Sequence, residues 1–299
     1  MKTDEQQPPQ SADCLVRVVS PDRCFRGLIA VTTNTVRTIC ERQQTDLTAT
    51  VALGRLLTGG ALMAGLLKGR QRLSLVVEGS GPIGKMGVEA DAEGRLRGTI
   101  RNPDSCVPPR ENKFDVAGAI GKAGFLTVTK DLGLKEPYQS MVQLQTSEIG
   151  EDLAWYLTSS EQVPSSLGLG VEFDADGAIA AAGGFMVQVL PPELPEKIDK
   201  LVNRIKNMPP ITTMLRKHIT PTEMLAQIFA ANNFPVSEVM PLSFHCPCNR
   251  SRIEQMLAGL GSAELMGLAH QQQVTSVRCE YCKAEYIFDA SEVKRLAES

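Results

Sequence analysis

Two short stretches carry the residue types best able to do chemistry: HCPC at 245–248 and CEYC at 279–282. Each presents a tight pair of thiols, C-x-C at Cys246 and Cys248 and C-x-x-C at Cys279 and Cys282. Thiolates are soft ligands, and four of them suit tetrahedral Zn²⁺ or an iron–sulfur cluster. The same sulfurs could also build a disulfide framework or a reactive dithiol. The N-terminal MKTDEQQPPQSAD has no apolar export-signal core. The expected compartment is therefore a reducing cytoplasm, where structural disulfides are rare and paired cysteines more often bind metal or do redox work. One structural Zn²⁺ held by Cys246, Cys248, Cys279 and Cys282 is the expectation. His245 adjoins Cys246, and adjacent side chains usually point apart, so it is not expected as a ligand. Cys14, Cys24, Cys40 and Cys106 are scattered through the first half of the chain. They read as small hydrophobes with no assigned role.

No other motif carries a reaction. GSGPIG (79–84) matches G-x-G-x-x-G by letter. However, Pro82 lies inside it and strand-like KMGVEA follows, where a dinucleotide fingerprint needs a helix N-terminus. It reads as a glycine-rich turn. The three histidines, His218, His245 and His270, stand beside no nucleophile motif. The acids of GEDLAWY (150–156) sit at a helix start and serve its dipole. No catalytic residue is expected, and the chain reads as a non-enzyme. A net charge of -3 gives no long-range pull on nucleic acid. Val51–Leu67 is the most apolar long stretch, but Arg55 and Thr58 interrupt it. It falls short of the ~20 apolar residues of a membrane span and reads as a buried helix.

The positioning elements follow from pattern. Residues 1–13 look like a flexible tail, and 14–189 like an α+β core of β-sheets with packed helices. In that core LVRVVS and CFRGLIAVT flank a turn at Pro21-Asp22. Asp46 caps a long helix through LTATVALGRLLTGGALMAGLL, whose glycines suggest close packing on a sheet. RLSLVVEG, KMGVEAD, RLRGTIR, FLTVTKD and SMVQLQT read as strands, and 148–160 as a helix with Trp155 and Tyr156. Two more strands flank Asp176-Gly177. From 190 to 240, proline-separated short helices form a linker or middle segment, with Thr220, Pro221 and Glu223 making a strong helix start. Residues 241–299 form a small C-terminal domain, with Ser251 and Glu254 read as a capping box. VTSVR and EYIF flank CEYC, and Asp289 with Glu292 caps a last helix. So little apolar mass needs a staple.

The chain resembles a known family, the bacterial redox-regulated heat-shock chaperones of about thirty-three kilodaltons. The resemblance runs from Val16 onward. It rests on TTNTVR (32–37), LGRLLTGGALMAGLLKG (53–69), VEGSGPIG (77–84), LTVTKDLGLKEPY (126–138), SEQVPSSLGLGV (160–171), AAGGFMVQVLP (181–191) and the paired cysteines of the tail. The N-terminal dozen residues and Cys106 fall outside the family's pattern. The resemblance implies an ATP-independent holdase that is inactive while reduced, with Cys246, Cys248, Cys279 and Cys282 on one Zn²⁺. Oxidation then converts them to disulfides, Cys246–Cys248 and Cys279–Cys282, and expels the metal. The C-terminal domain and linker unfold, and the active form dimerises. It captures unfolding client proteins and later passes them to ATP-dependent foldases.

Physical reasoning accords with that expectation. Zinc contributes ~10–16 kcal/mol to folding in small peptides, as much as the ~5–15 kcal/mol net stability of a whole domain. A near partner lets each cysteine stop at a reversible disulfide, and the small ring of Cys246–Cys248 makes that bridge readily reduced. Met208, Met214, Met224, Leu225, Ile228 and Phe229 are the expected client-binding residues, core when reduced and exposed when the linker loses its support. Two rivals remain open. A nucleic-acid-binding zinc ribbon would rest on Arg250, Arg252 and Arg278, and a thiol oxidoreductase on Cys279 and Cys282. Neither uses the large first domain.

Overall fold

The computed structural model describes residues 12–110, 113–231 and 234–298. The chain falls into two compact units, 1–244 and 245–299. The first runs β1 (Cys14–Val19), β2 (Phe25–Val31), α1 (Thr33–Gln43), α2 (Leu47–Ala64), β3 (Arg72–Gly79), β4 (Lys85–Asp91) and β5 (Arg95–Ile100). It continues through α3 (Val116–Ile120), β6 (Gly124–Asp131), β7 (Tyr138–Gln143), α4 (Ile149–Ser159), β8 (Ser165–Phe173) and β9 (Ile179–Val189). It ends with α5 (Pro195–Asn207), α6 (Ile211–Arg216), α7 (Pro221–Phe229), β10 (Val236–Pro241) and β11 (Ser243–Phe244). The second unit runs α8 (Arg250–Ala258), α9 (Ser262–Gln271), β12 (Val274–Arg278), β13 (Glu285–Asp289) and α10 (Ala290–Glu298). The architecture is α+β, as expected.

Two sheets build the first unit, one in the order β10-β1-β2-β9-β8 and one in the order β11-β5-β4-β3-β6-β7. Helix α2 packs against strands of both. Apart from Leu47 at its start, its apolar residues are buried all round, the pattern of a core helix rather than a surface one. Among the described residues it is the one helix long and apolar enough to cross a membrane, and 89% of that stretch is buried. Its glycines are what let it lie so close. A Cβ on Gly60 would come within 2.8 Å of Val88 on β4, and one on Gly54 within 2.7 Å of Val171 on β8. Asp46 caps it as the sequence predicts, accepting from the Ala49 amide at 2.7 Å. Its other oxygen accepts from the Ser105 amide and hydroxyl, both at 2.7 Å.

The opposite face of the first sheet carries α6 and α7. Strand alternation puts Leu15, Leu28 and Met186 toward α2, and Val16, Val18, Phe25, Ile29 and Val187 outward. Met214, Met224, Leu225, Ile228 and Phe229 cover that outward face, with Met208 partly buried beside them. Gly27 in β2 leaves room for α7: a Cβ there would meet Leu225 and Phe229 at 2.7 Å. Thr220 and Glu223 start α7 with the predicted capping box.

The structure corrects several local expectations. Asp13, assigned to the tail, is buried and caps α1 from outside the helix. Its carboxylate accepts from the Asn34 amide at 3.0 Å and the Thr35 amide at 2.6 Å. The rest of that tail, 1–11, lies outside the described residues. The segment 190–240, read as helical throughout, contains most of β10, which pairs antiparallel with β1. That pairing joins residues far apart in sequence, so no local pattern announces it. Helix α9 was not foreseen, and α8 is capped by Asn249 rather than by Ser251, the Asn249 side chain accepting from the Arg252 amide at 2.9 Å.

Candidate metal centre

The second unit has a small core of Ile253, Leu257, Leu265, Ala269, Phe288 and Val293. Around it, the two cysteine pairs are placed by different devices. Cys246 and Cys248 lie on the irregular stretch before α8. Cys279 and Cys282 sit on the turn joining β12 to β13, whose ladder runs from Val274↔Asp289 to Arg278↔Glu285. That turn is closed by the Cys279 amide donating to the Ala284 carbonyl at 2.9 Å and the Lys283 amide donating to the Cys279 carbonyl at 2.9 Å. Lys283 takes a left-handed conformation with φ 59. Arg250 ties α8 to the same hairpin. It donates to the Ile287 carbonyl at 3.0 Å, pairs with Glu292 at 2.7 Å and lies 4.5 Å from the centre of the Phe288 ring.

The result is a cluster of sulfurs. The Sγ atoms of Cys246, Cys248, Cys279 and Cys282 all lie within 4.8 Å of one another. Cys246 is 3.7 Å from Cys279, and Cys248 is 3.1 Å from Cys282. A tetrahedral ion with metal–sulfur bonds of ~2.3 Å needs sulfurs ~3.8 Å apart. The donor set and spacing therefore fit a four-thiolate metal site, and the cluster could hold a metal ion. His245 is exposed and not among the clustered donors. Both of these contacts join a sulfur of one pair to a sulfur of the other, so the folded cluster interleaves C-x-C with C-x-x-C.

Electrostatics single out Cys248. Burial opposes its ionisation, but hydrogen bonds from the Tyr286 hydroxyl and the Cys282 thiol prevail and bring its thiol down to about 7. The Tyr286 hydroxyl lies 3.2 Å from the Cys248 sulfur. Cys282 goes the other way, pushed up to about 12 by burial and by donating to Cys248. Burial also raises Cys246. Sequence reasoning missed Tyr286. It faces the cluster because β13 alternates, sending Tyr286 and Phe288 inward and leaving Ile287 exposed.

The six expected client-binding residues are brought together, but in the first unit and packed on its five-stranded sheet. Met214, Met224, Leu225 and Ile228 are fully buried there. The four remaining cysteines are dispersed: Cys14, Cys24 and Cys40 are buried, and Cys106 is exposed.

Comparison with known proteins covers nearly the whole chain. A family model described as Hsp33 protein matches residues 13–289. A "33 kDa chaperonin" of Geobacter sulfurreducens is 52% identical over 287 residues, 96% of this chain and 95% of that protein. A "33 kDa chaperonin" of Syntrophotalea carbinolica is 52% identical over 284 residues, 95% of this chain and 99% of that one. The crystal structure of the 33 kDa chaperonin from Thermotoga maritima superposes with a TM-score of 0.88 at 35% identity, over 96% of this chain and 98% of that one.

Proposed function

This chain belongs to the Hsp33 family of chaperones, and from that premise we propose that it is an ATP-independent holdase switched on by oxidation. The observation that carries the reading is the convergence of four sulfurs within 4.8 Å in a unit with so small an apolar core. We assign them one Zn²⁺ per chain in the reduced protein. When bound, the ion would cross-link α8's approach to the β12–β13 turn and keep the thiols ionised. Cys246, Cys248, Cys279 and Cys282 hold it; Tyr286 donates to one of the sulfurs, and Arg250 braces the hairpin behind them.

Oxidation removes two electrons per disulfide formed. Cys246 then bonds Cys248 and Cys279 bonds Cys282, pairings that survive unfolding because each joins near neighbours in sequence. A sulfur in a disulfide is no longer an anionic ligand, so Cys246, Cys248, Cys279 and Cys282 would no longer hold a metal ion. The second unit has little else to hold it and unfolds, and in the activated chain segment 190–240 unfolds with it. That segment's short helices are marginal alone. Their release uncovers Met208, Met214, Met224, Leu225, Ile228, Phe229 and the apolar sheet face beneath them. Unfolding proteins bind there without nucleotide, two activated chains associate, and ATP-dependent foldases later take over the client. A reducing cytoplasm is the compartment in which such a switch rests in the off state.

The test is suppression of citrate synthase aggregation by zinc-loaded protein, before and after peroxide at heat-shock temperature, with metal and thiols counted alongside. Suppression only after oxidation, with loss of one zinc and four thiols, is expected. Equal suppression in both states overturns the switch. Zinc well below one per chain in the reduced form overturns the metal assignment, and turnover in an insulin-reduction assay would establish the oxidoreductase instead.

A further inference from the structure

Helix α5 meets the β1–β2 turn through three polar groups that play no part in the metal centre. Lys197, in the first turn of α5, places its Nζ 2.7 Å from Asp22 Oδ2 and 3.3 Å from Cys24 Sγ. Asp22 is itself fixed: its Oδ1 accepts from the Ser20 hydroxyl at 2.7 Å and from the Cys24 amide at 3.2 Å. The Cys24 thiol donates to the Asp22 carbonyl at 3.4 Å. Cys24 is 6% exposed, whereas the Lys197 and Asp22 side chains are 40% and 41% exposed. The sulfur is shielded from large reagents, and its two partners open the approach to a small one.

We propose that Cys24 and Lys197 form a peroxide-driven covalent bridge, a sulfur–nitrogen bond that fastens the start of α5 to the β1–β2 turn. The proposal concerns different cysteine chemistry from the metal centre and stands whether or not that centre is a switch. A cation beside a sulfur marks the reactive class of cysteine. Two reacting atoms held at ~3–3.5 Å by the fold gain the advantage of an intramolecular reaction, and 3.3 Å lies in that range.

The chemistry balances with one equivalent of peroxide. The Cys24 thiolate attacks a peroxide oxygen, the O–O bond breaks and hydroxide leaves as water, giving a sulfenic acid. The Lys197 nitrogen, once it has lost a proton to solvent, attacks the sulfenyl sulfur. The S–O bond breaks, and the hydroxide takes a proton from the attacking nitrogen and leaves as a second water. Sulfur is oxidised by two electrons and peroxide is reduced by two. A thiol attacks the sulfur and releases the amine, and a second thiol resolves the mixed disulfide, returning the pair to its starting state. Sulfenic acids are known to condense with a nearby backbone nitrogen in this manner; here a side-chain amine occupies that place.

The experiment uses full-length, zinc-loaded protein treated with dilute hydrogen peroxide and digested for tandem mass spectrometry. The expected product joins the peptides carrying Cys24 and Lys197, two hydrogens lighter than their sum, and disappears with dithiothreitol. Lys197→Arg keeps the ion pair with Asp22 but removes the amine nucleophile. In that variant the cross-link should be lost, and a dimedone adduct of sulfenic acid at Cys24 should rise above the wild-type level. Circular dichroism of the variant checks its fold. The proposal is overturned if Cys24 is recovered unoxidised, if it proceeds to sulfinic acid with Lys197 free, or if dimedone labels Cys24 equally in both proteins. Because the readout is peptide by peptide, oxidation at Cys246, Cys248, Cys279 and Cys282 is scored separately.

Discussion

The Tyr286 hydroxyl donates a hydrogen bond to the Cys248 sulfur across 3.2 Å, tying the second residue of one strand to a thiol more than thirty positions earlier. A hydrogen bond to the charged form of a group favours that form. Opposed by burial, the Tyr286 and Cys282 contacts still hold Cys248 near 7. Protons and metal compete for the same sulfur. Tyr286→Phe should therefore let protons compete at higher pH, so that zinc is released earlier in an acid titration. Groups that orient and tune metal ligands typically change affinity by ~10–100-fold, and a chelator competition at neutral pH should show weakening in that range. An unchanged release curve would remove Tyr286 from the site.

Removing any one ligand should unfold the second unit and spare the first. The core of the second unit is six buried positions among the described residues, one of them an alanine, little apolar mass for a unit spanning 245–299 to stand on without a staple. Cys246→Ser, Cys248→Ser, Cys279→Ser or Cys282→Ser should each lower zinc from one per chain to near zero. Hydrogen exchange across 250–298 should become fast, while α2 stays protected by its two sheets. Exchange in the second unit that is unaffected by chelator would show that the metal is not its staple.

What could be read from the sequence divides along physical lines. Elements defined by local pattern were legible: the capped α2, the hairpin at Asp176-Gly177, the Thr220 box and the strands around CEYC. Features created by distant chain segments were not. β10 is a strand because β1 has an open edge beside it, and Asp13 is a cap because the fold brings it to the start of α1. The cysteine spacing suggested a shared ligand site, but not that the pairs would interleave or that Tyr286 would face them. The six apolar residues of 208–229 were legible as packing residues, and the structure packs them so. Their partner, the outward face of β1, β2 and β9, follows only from the sheet order.

Gly27 offers a way to separate release of that segment from metal chemistry. A Cβ at Gly27 would lie 2.7 Å from both Leu225 and Phe229, so Gly27→Val forces α7 off the sheet. Overpacking of this kind costs about 1–3 kcal/mol, enough to loosen a helix of nine residues. The variant should bind a hydrophobic dye and suppress client aggregation while still reduced and zinc-loaded. Zinc content should stay at one per chain. If Gly27→Val loosens 221–229 in hydrogen exchange yet captures no client, the client surface lies elsewhere.

The Asp22–Lys197 contact makes a pH prediction whose sign follows from the acid. Burial works against ionisation of Asp22, but hydrogen bonds from Lys197, Ser20 and the Cys24 amide hold its carboxyl well below the usual range. A carboxyl depressed by folding contributes stability that is present above its unfolded value of ~3.9 and fades as pH falls through the lower folded value. Lys197 is raised by the hydrogen bonds it donates to Asp22 and Cys24, so its share is complete below the usual ~10.4 and fades as pH rises through the higher folded value. Lys197→Met should therefore lower the denaturation midpoint of the first unit across neutral pH, with the difference from wild type shrinking at both extremes. Both side chains are about two-fifths exposed, so the effect should be small and weaken at high salt. A gap that instead widens below pH ~4 would mean that Lys197 acts through its hydrocarbon stem rather than its charge.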